Sequence, residues 1–298
     1  MNAAQSLRDR DVVVRPVPAR SQRRRMWDTF VGNRAAVFGL GLALAITLLA
    51  IFAPLIASQD PLAQDGARRL TPPDDVFPLG RDAFGRDVLS RILHAGRISL
   101  VIGIGSVMLG GTVGTLLGLV AGYSGGKLES LLMRAVDVLM AFPSLLLGLT
   151  VLAVLGPGLE KVILAIGLLL SPPFARVVHG ATLSLKEQEF LTAARAVGAG
   201  HLRLMRLHIL PNMVGEIVVL VSVWTASAIR VEASLSFIGL GISPPTPTWG
   251  NMIRDGTTHL INAPWLSIFP GVAILLTVLA FNLLGDGLRD VLDPKLQQ

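Results

Sequence analysis

Apolar residues in this chain do not alternate with polar ones. They gather into long blocks separated by short polar segments. Four blocks are free of charge and long: Ala35–Ala57, Ile98–Gly122, Val138–Leu159 and Leu260–Gly285. The hydrocarbon core of a bilayer takes about 20 apolar residues of helix, so each block predicts a transmembrane helix. Two further blocks are shorter. Val162–Ala175 reaches span length only by running past Arg176 toward Leu185, and Ile217–Ile229 is flanked by Glu216 and Arg230. Counting both as spans gives six helices. Reading both as interfacial gives four.

Charge then sets the orientation. Arg8, Arg10, Arg15, Arg20, Arg23, Arg24, Arg25 and Arg34 precede or abut the first block, with no apolar stretch among them. Segment 1–34 therefore reads as a cytoplasmic arginine-rich segment rather than a cleaved signal peptide. With six spans, 17 of the 26 Lys and Arg fall in inner segments and both termini lie in the cytoplasm. The first outer loop, 58–97, sets six Arg against Asp60, Asp65, Asp74, Asp75, Asp82 and Asp87 and is close to neutral. The second outer segment, Gly239–Ser267, carries Ser243-Pro-Pro-Thr-Pro-Thr-Trp-Gly-Asn251, where proline cannot continue a helix. Trp249 and Trp265 suit the membrane interface. No large soluble domain and no internal repeat is expected.

Composition agrees. Hydrophobic residues make up 52% of the 298 and charged residues 15%, against about 25% charged in soluble domains; mean hydropathy is +0.63. An ordinary soluble enzyme and a disordered chain are both excluded. There is no cysteine, so thiol, disulfide and zinc-thiolate chemistry are absent. The net charge of +6 reflects cationic inner loops and does not point to nucleic acid.

Little chemistry is encoded. Ser106, Gly110, Gly114, Gly118 and Gly122 recur every four residues along the second predicted helix, a small-residue stripe that predicts close helix–helix packing. Gly122-Tyr-Ser124-Gly125-Gly126 matches GxSxG, but a hydrolase needs a strained elbow, a basic partner and an oxyanion hole. With His179 the nearest histidine, a glycine-rich turn leaving a helix is the better account. His94, His179, His201, His208 and His259 show no metal-ligand spacing. Gly126-Lys127 lacks the rest of a phosphate-binding loop. The chain is therefore expected to hold no catalytic residue, no metal and no cofactor. Among ionisable residues in or near spans, Asp137 is predicted to pair with Arg134 and Glu216 sits near an inner helix end. Arg230 and Glu232 are the ones expected to face a polar pathway.

The most informative segment runs from Phe190 to Asn212, in a predicted cytoplasmic loop over 186–211. Phe190, Ala193, Ala194 and Val197 share one helix face. Gly198 and Gly200 break that helix, and a second short amphipathic piece is expected to stop at Pro211, where the fifth predicted helix begins. Such a piece either lies on lipid headgroups or docks into a groove of another protein.

This segment resembles the coupling motif of ABC importer permeases, EAA, then G, then I-LP. Ala193, Ala194, Gly198, Leu210 and Pro211 fall on its positions, and Thr192 replaces its Glu. Pro78-Leu-Gly, Gly85-Arg-Asp-Val-Leu-Ser-Arg91, Ala141-Phe-Pro-Ser144, Ser236-Phe-Ile-Gly-Leu-Gly241 and Leu279 to Asp290 further resemble the C-type permease subunit of the dipeptide/oligopeptide/nickel branch. The resemblance runs from about Met26 to Lys295. It implies an all-α membrane protein of the type I importer permease fold with six transmembrane helices. These are one over 35–57 and five in a core over 98–290, followed by a cytoplasmic tail, 291–298. It also implies a bacterial inner-membrane location, a B-type permease partner and two cytoplasmic ATPase subunits that bind ATP and magnesium. An extracytoplasmic binding protein would deliver a di- or oligopeptide; glutathione and nickel chelates pass through relatives. A secondary transporter would instead show inverted repeats or broken midplane helices.

Overall fold

The structure, a computed structural model, describes residues 22–292; of the arginine-rich segment, residues 1–21 lie outside the described residues, as does the tail from 293. Among the described residues the only regular structure is helical. Helix α1 (Gln22–Gly32) leads into α2 (Arg34–Ile51), whose first turn is capped by Asn33, its side chain accepting from Ala36 N at 3.1 Å. The first predicted span breaks at Phe52, and a single turn, α3 (Ala53–Ile56), completes it with Pro54 in its first turn. Proline has no N–H to continue the ladder.

The loop that follows is held by its own charges. Arg81 Nη1 lies 2.8 Å from Asp65, Arg86 Nε 2.6 Å from Asp82, and Arg91 Nε 3.5 Å from the same carboxylate. Asp87 then caps α4 (Val88–Ser124), its carboxylate accepting from Ser90 N at 2.9 Å. The helix thus begins ten residues before the predicted Ile98, because a buried cap is available there. Gly125 and Gly126, at φ +71° and +60°, end it.

A single continuous helix over Val138–Leu159 is not what forms. Two helices, α5 (Gly126–Ala141) and α6 (Ser144–Leu155), meet at 93° across Phe142-Pro143. Helix α7 (Leu159–Lys186) runs unbroken through Pro172 and Pro173. Pro172 frees the carbonyl of Leu168, and the Ser171 hydroxyl donates to it at 3.1 Å. A short helix, α8 (Glu189–Ala196), is followed by one turn, α9 (His201–Arg203), a π-helical turn over Leu204–Ile209, and α10 (Leu210–Ile238). Pro211 does not stop the second piece, contrary to expectation. The wider π turn before it accommodates the ring, and Asn212 Nδ2 donates to the His208 carbonyl at 2.6 Å. Helix α11 (Trp249–Thr257) opens with a reciprocal Thr248/Asn251 capping box, and α12 (Trp265–Leu292) closes the described chain. Trp249 is buried at 2% exposure with Nε1 donating to Ile92 O at 3.1 Å, so it belongs to the core rather than the interface.

Five of these helices are long and apolar enough to cross a membrane: α2, α4, α7, α9–α10 as one rod, and α12. The bent α5–α6 pair makes six if it serves as one span. Helices α4 and α7 form the centre. A methyl group on Gly110, Gly114 or Gly118 would sit 2.5, 2.4 or 2.4 Å from the carbonyl oxygen of Gly167, Ser171 or Ala175. Small residues thus face small residues along about two turns, and dispersion between the two backbones replaces the hydrophobic effect that lipid cannot supply.

Candidate functional site

Two regions carry polar or exposed features that packing alone does not require. The first is the segment joining α7 to α10. Leu191 of α8 is fully buried and packs with Leu119 and Tyr123 of α4, Val178 of α7 and Leu204, Ile209 and Met213 beyond it. It pins α8 across the ends of three long helices. The opposite face of α8 is bare: Thr192 and Ala193 are exposed, Phe190 is 42% and Val197 87% exposed. Ala194, placed by its spacing on that face, is half-buried against the core cluster.

Gly198 ends α8 at φ +87°, a conformation that L-residues with a Cβ rarely adopt. Both bonds of the Schellman motif are present: Ala199 N donates to Ala194 O at 3.0 Å and Gly198 N to Arg195 O at 2.9 Å. Leu210 and Pro211 lie beyond α9 and the π turn, at the start of α10, Leu210 half-buried and Pro211 exposed.

Sequence reasoning passed over Tyr123, the chain's one tyrosine. Its hydroxyl lies 2.7 Å from His201 Nδ1, and the Arg195 guanidinium lies 5.7 Å and the Lys186 ammonium 6.0 Å from its ring centre. One side chain at the end of α4 thus touches α7, α8 and α9. Its position inside Gly122-Tyr-Ser124 was the available signal. Neighbouring Ser124 has no hydrogen bond to His179, whose Nε2 lies 2.7 Å from Glu129 Oε1 instead. Asp137 pairs with Arg176 of α7, not with Arg134.

The second region is a cavity of about 550 Å³ where α5 and α6 bend beside α7 and α10. Phe142, Leu145, Pro172, Trp224 and Val231 supply its apolar wall; Ser227, Arg230 and Ser234 form a polar line along α10. Arg230 is exposed, and Nη2 donates to Ser227 Oγ at 2.9 Å. Among the described residues no carboxylate pairs with it. Arg230 lies eight residues before the end of α10, so this wall sits toward a helix end, where a long cationic side chain can reach water.

Glu232 lies elsewhere. Two residues along a helix is a rotation of about 200°, and Glu232 is fully buried between α4 and α10. Ser99 Oγ donates to Oε2 at 3.1 Å and Ser236 Oγ to Oε1 at 2.7 Å. It does not line the cavity. No group of residues suited to a metal ion occurs among the described residues.

Comparison with known proteins places these features in a family. The family described as binding-protein-dependent transport system inner membrane component matches residues 114–298, and the N-terminal TM domain of oligopeptide transport permease C matches residues 21–73. The di/tripeptide transport system permease protein DppC of Pseudomonas aeruginosa is 43% identical over 280 residues, covering 92% of each chain. The glutathione transport system permease protein GsiD of Pectobacterium atrosepticum is 43% identical over 286 residues, covering 96% of this chain and 95% of its own. The dipeptide transport system permease protein DppC of Haemophilus influenzae is 41% identical over 281 residues, covering 92% and 95%. A polytopic helical bundle with an exposed short helix fastened across its ends, matched over nearly its whole length by such relatives, belongs to the binding-protein-dependent transport system inner membrane component family, the permease subunits of ABC importers.

Proposed function

We propose that this chain is one half of a heterodimeric pore that imports di- and oligopeptides, with a related B-type permease as the other half. The bent α5–α6 pair then serves as one span, giving six, with both termini and α8 in the cytoplasm. An extracytoplasmic binding protein delivers the peptide, and two cytoplasmic ATPase subunits bind ATP and magnesium and drive the cycle. The observation that carries this reading is the exposed face of α8 on a helix anchored by buried Leu191. Thr192, Ala193, Ala194 and Gly198 form the ATPase-facing element, and Leu210 and Pro211 transmit its movement into α10.

The mechanism follows from stiffness. Close-packed elements transmit displacement rather than absorb it. When the ATPases close on ATP they carry α8 with them, and Leu191 and Tyr123 pass the motion to α4, α7 and α10. The cavity wall around Arg230 then changes its accessible side, and hydrolysis resets it. No covalent chemistry falls to this chain. Glutathione is the alternative cargo, since the Pectobacterium relative carries its name.

The test is Gly198→Val in the complete reconstituted transporter. A β-branched residue at φ +87° is strained by about 1–2 kcal/mol, and the turn that presents α8 should distort. Expected is loss of ATP-driven dipeptide uptake with the complex still assembled. Wild-type uptake by the variant would reject the docking role, and transport of glutathione but no dipeptide would transfer the cargo assignment.

A further inference from the structure

The cavity between the α5–α6 bend and α10 holds one charged side chain, Arg230, in an otherwise apolar and hydroxyl-bearing wall. Resting on the peptide-import reading, we infer that Arg230 is a specificity-determining residue of the transit cavity, whose guanidinium receives the free carboxylate of the peptide cargo.

Three observations support this. First, the cation has no anionic partner among the described residues; Ser227 Oγ, 2.9 Å from Nη2, orients one edge of the fork and leaves its other donors open. Five N–H donors in a planar fork match a carboxylate in a way that an ammonium does not. Second, the nearest acid in sequence, Glu232, is withdrawn into the α4–α10 contact by Ser99 and Ser236. The fold removes the one carboxylate that could neutralise the arginine from its own helix. Third, the volume of about 550 Å³ lies within the range of small-molecule sites, which are apolar concavities with a few placed polar groups. Trp224 and Phe142 give that wall broad apolar surface. Every unmodified peptide carries a C-terminal carboxylate whatever its sequence. A single fixed cation beside a tolerant apolar surface reads that shared group and ignores the rest.

The experiment uses the complete transporter with its binding protein in proteoliposomes, comparing wild type, Arg230→Gln and Arg230→Lys. The probes are alanyl-alanine and alanyl-alanine amide, each at a concentration that saturates the binding protein, verified by calorimetry. For Arg230→Gln we expect uptake of the free acid to fall about tenfold or more, the size of a bond to a charged group, with uptake of the amide unchanged. Arg230→Lys should restore part of the free-acid rate. Equal rates for wild type and Arg230→Gln on the free acid overturn the inference while leaving peptide import standing. An equal fall for both probes also overturns it, because the arginine then serves assembly, as it would if a carboxylate of the permease partner paired with it. Uptake of neither probe by the wild-type transporter overturns the peptide reading, and this inference with it.

Discussion

The contact between α4 and α7 gives a sharp quantitative test at Gly114→Ala. The added Cβ would lie 2.4 Å from the Ser171 carbonyl oxygen, 2.5 Å from Phe174 Cβ and 3.0 Å from Ala175 N. Two of these three obstacles are backbone atoms and cannot rotate aside. Raising 2.4 Å to the 3.4 Å of ordinary contact requires the helices to part by about 1 Å. The same separation is imposed on the contacts of Gly110 and Gly118, one turn to either side. Overpacking of this kind costs about 1–3 kcal/mol. Gly180 of α7 is the matched control: it is exposed, interior to a helix, and a methyl group there meets nothing within 4 Å. Both substitutions gain the same helix propensity, roughly 0.5–1 kcal/mol, so their difference isolates the close approach. Equilibrium unfolding of the purified subunit by SDS in mixed micelles should place Gly114→Ala below Gly180→Ala by about 1–3 kcal/mol. If Gly114→Ala is as stable as Gly180→Ala, backbone contact between α4 and α7 does not hold the bundle centre.

Two further outcomes are expected. Glu232→Ala leaves the hydroxyls of Ser99 and Ser236 without their acceptor in a closed space and should cost about 2–4 kcal/mol, whereas Glu232→Gln keeps an acceptor of the same size and should cost less; the same SDS titration compares them, and equal stability of all three would show that the network does not join α4 to α10. Tyr123→Phe removes the 2.7 Å contact to His201, worth about 0.5–1.5 kcal/mol, and should lower the peptide transported per ATP hydrolysed in the reconstituted complex, while an unchanged ratio would free Tyr123 of any part in coupling.

Much of this molecule was legible along the chain because a bilayer imposes local rules. Backbone groups in lipid must be satisfied within the segment, so uninterrupted apolar length announces a helix, as it does for α2, α4 and α12. The four-residue recurrence of Gly110, Gly114, Gly118 and Gly122 likewise depends on one helix's own period. The same period turns Glu232 about 200° from Arg230, yet both were expected to face one polar pathway; the structure puts only Arg230 at the cavity. Proline's missing donor, by contrast, gave different outcomes at different sites. Pro143 marks a 93° bend, Pro172 lies in an unbroken helix because Ser171 repairs the ladder, and Pro211 follows a π turn without ending the rod. Which outcome prevails depends on what the neighbouring side chains can donate. Tertiary structure alone decided the partners that lie far apart in sequence. These are Ser99 for Glu232 across 133 positions, Arg176 for Asp137, Ile92 for Trp249, and Tyr123 as the post around which the coupling segment is arranged. Nothing local distinguishes a carboxylate that lines a cavity from one held by two serines. Ser236 is local, four residues on in the same helix, but Ser99 arrives only with the approach of α4 to α10, and that approach is set by packing between helices, a property of pairs that no single segment contains.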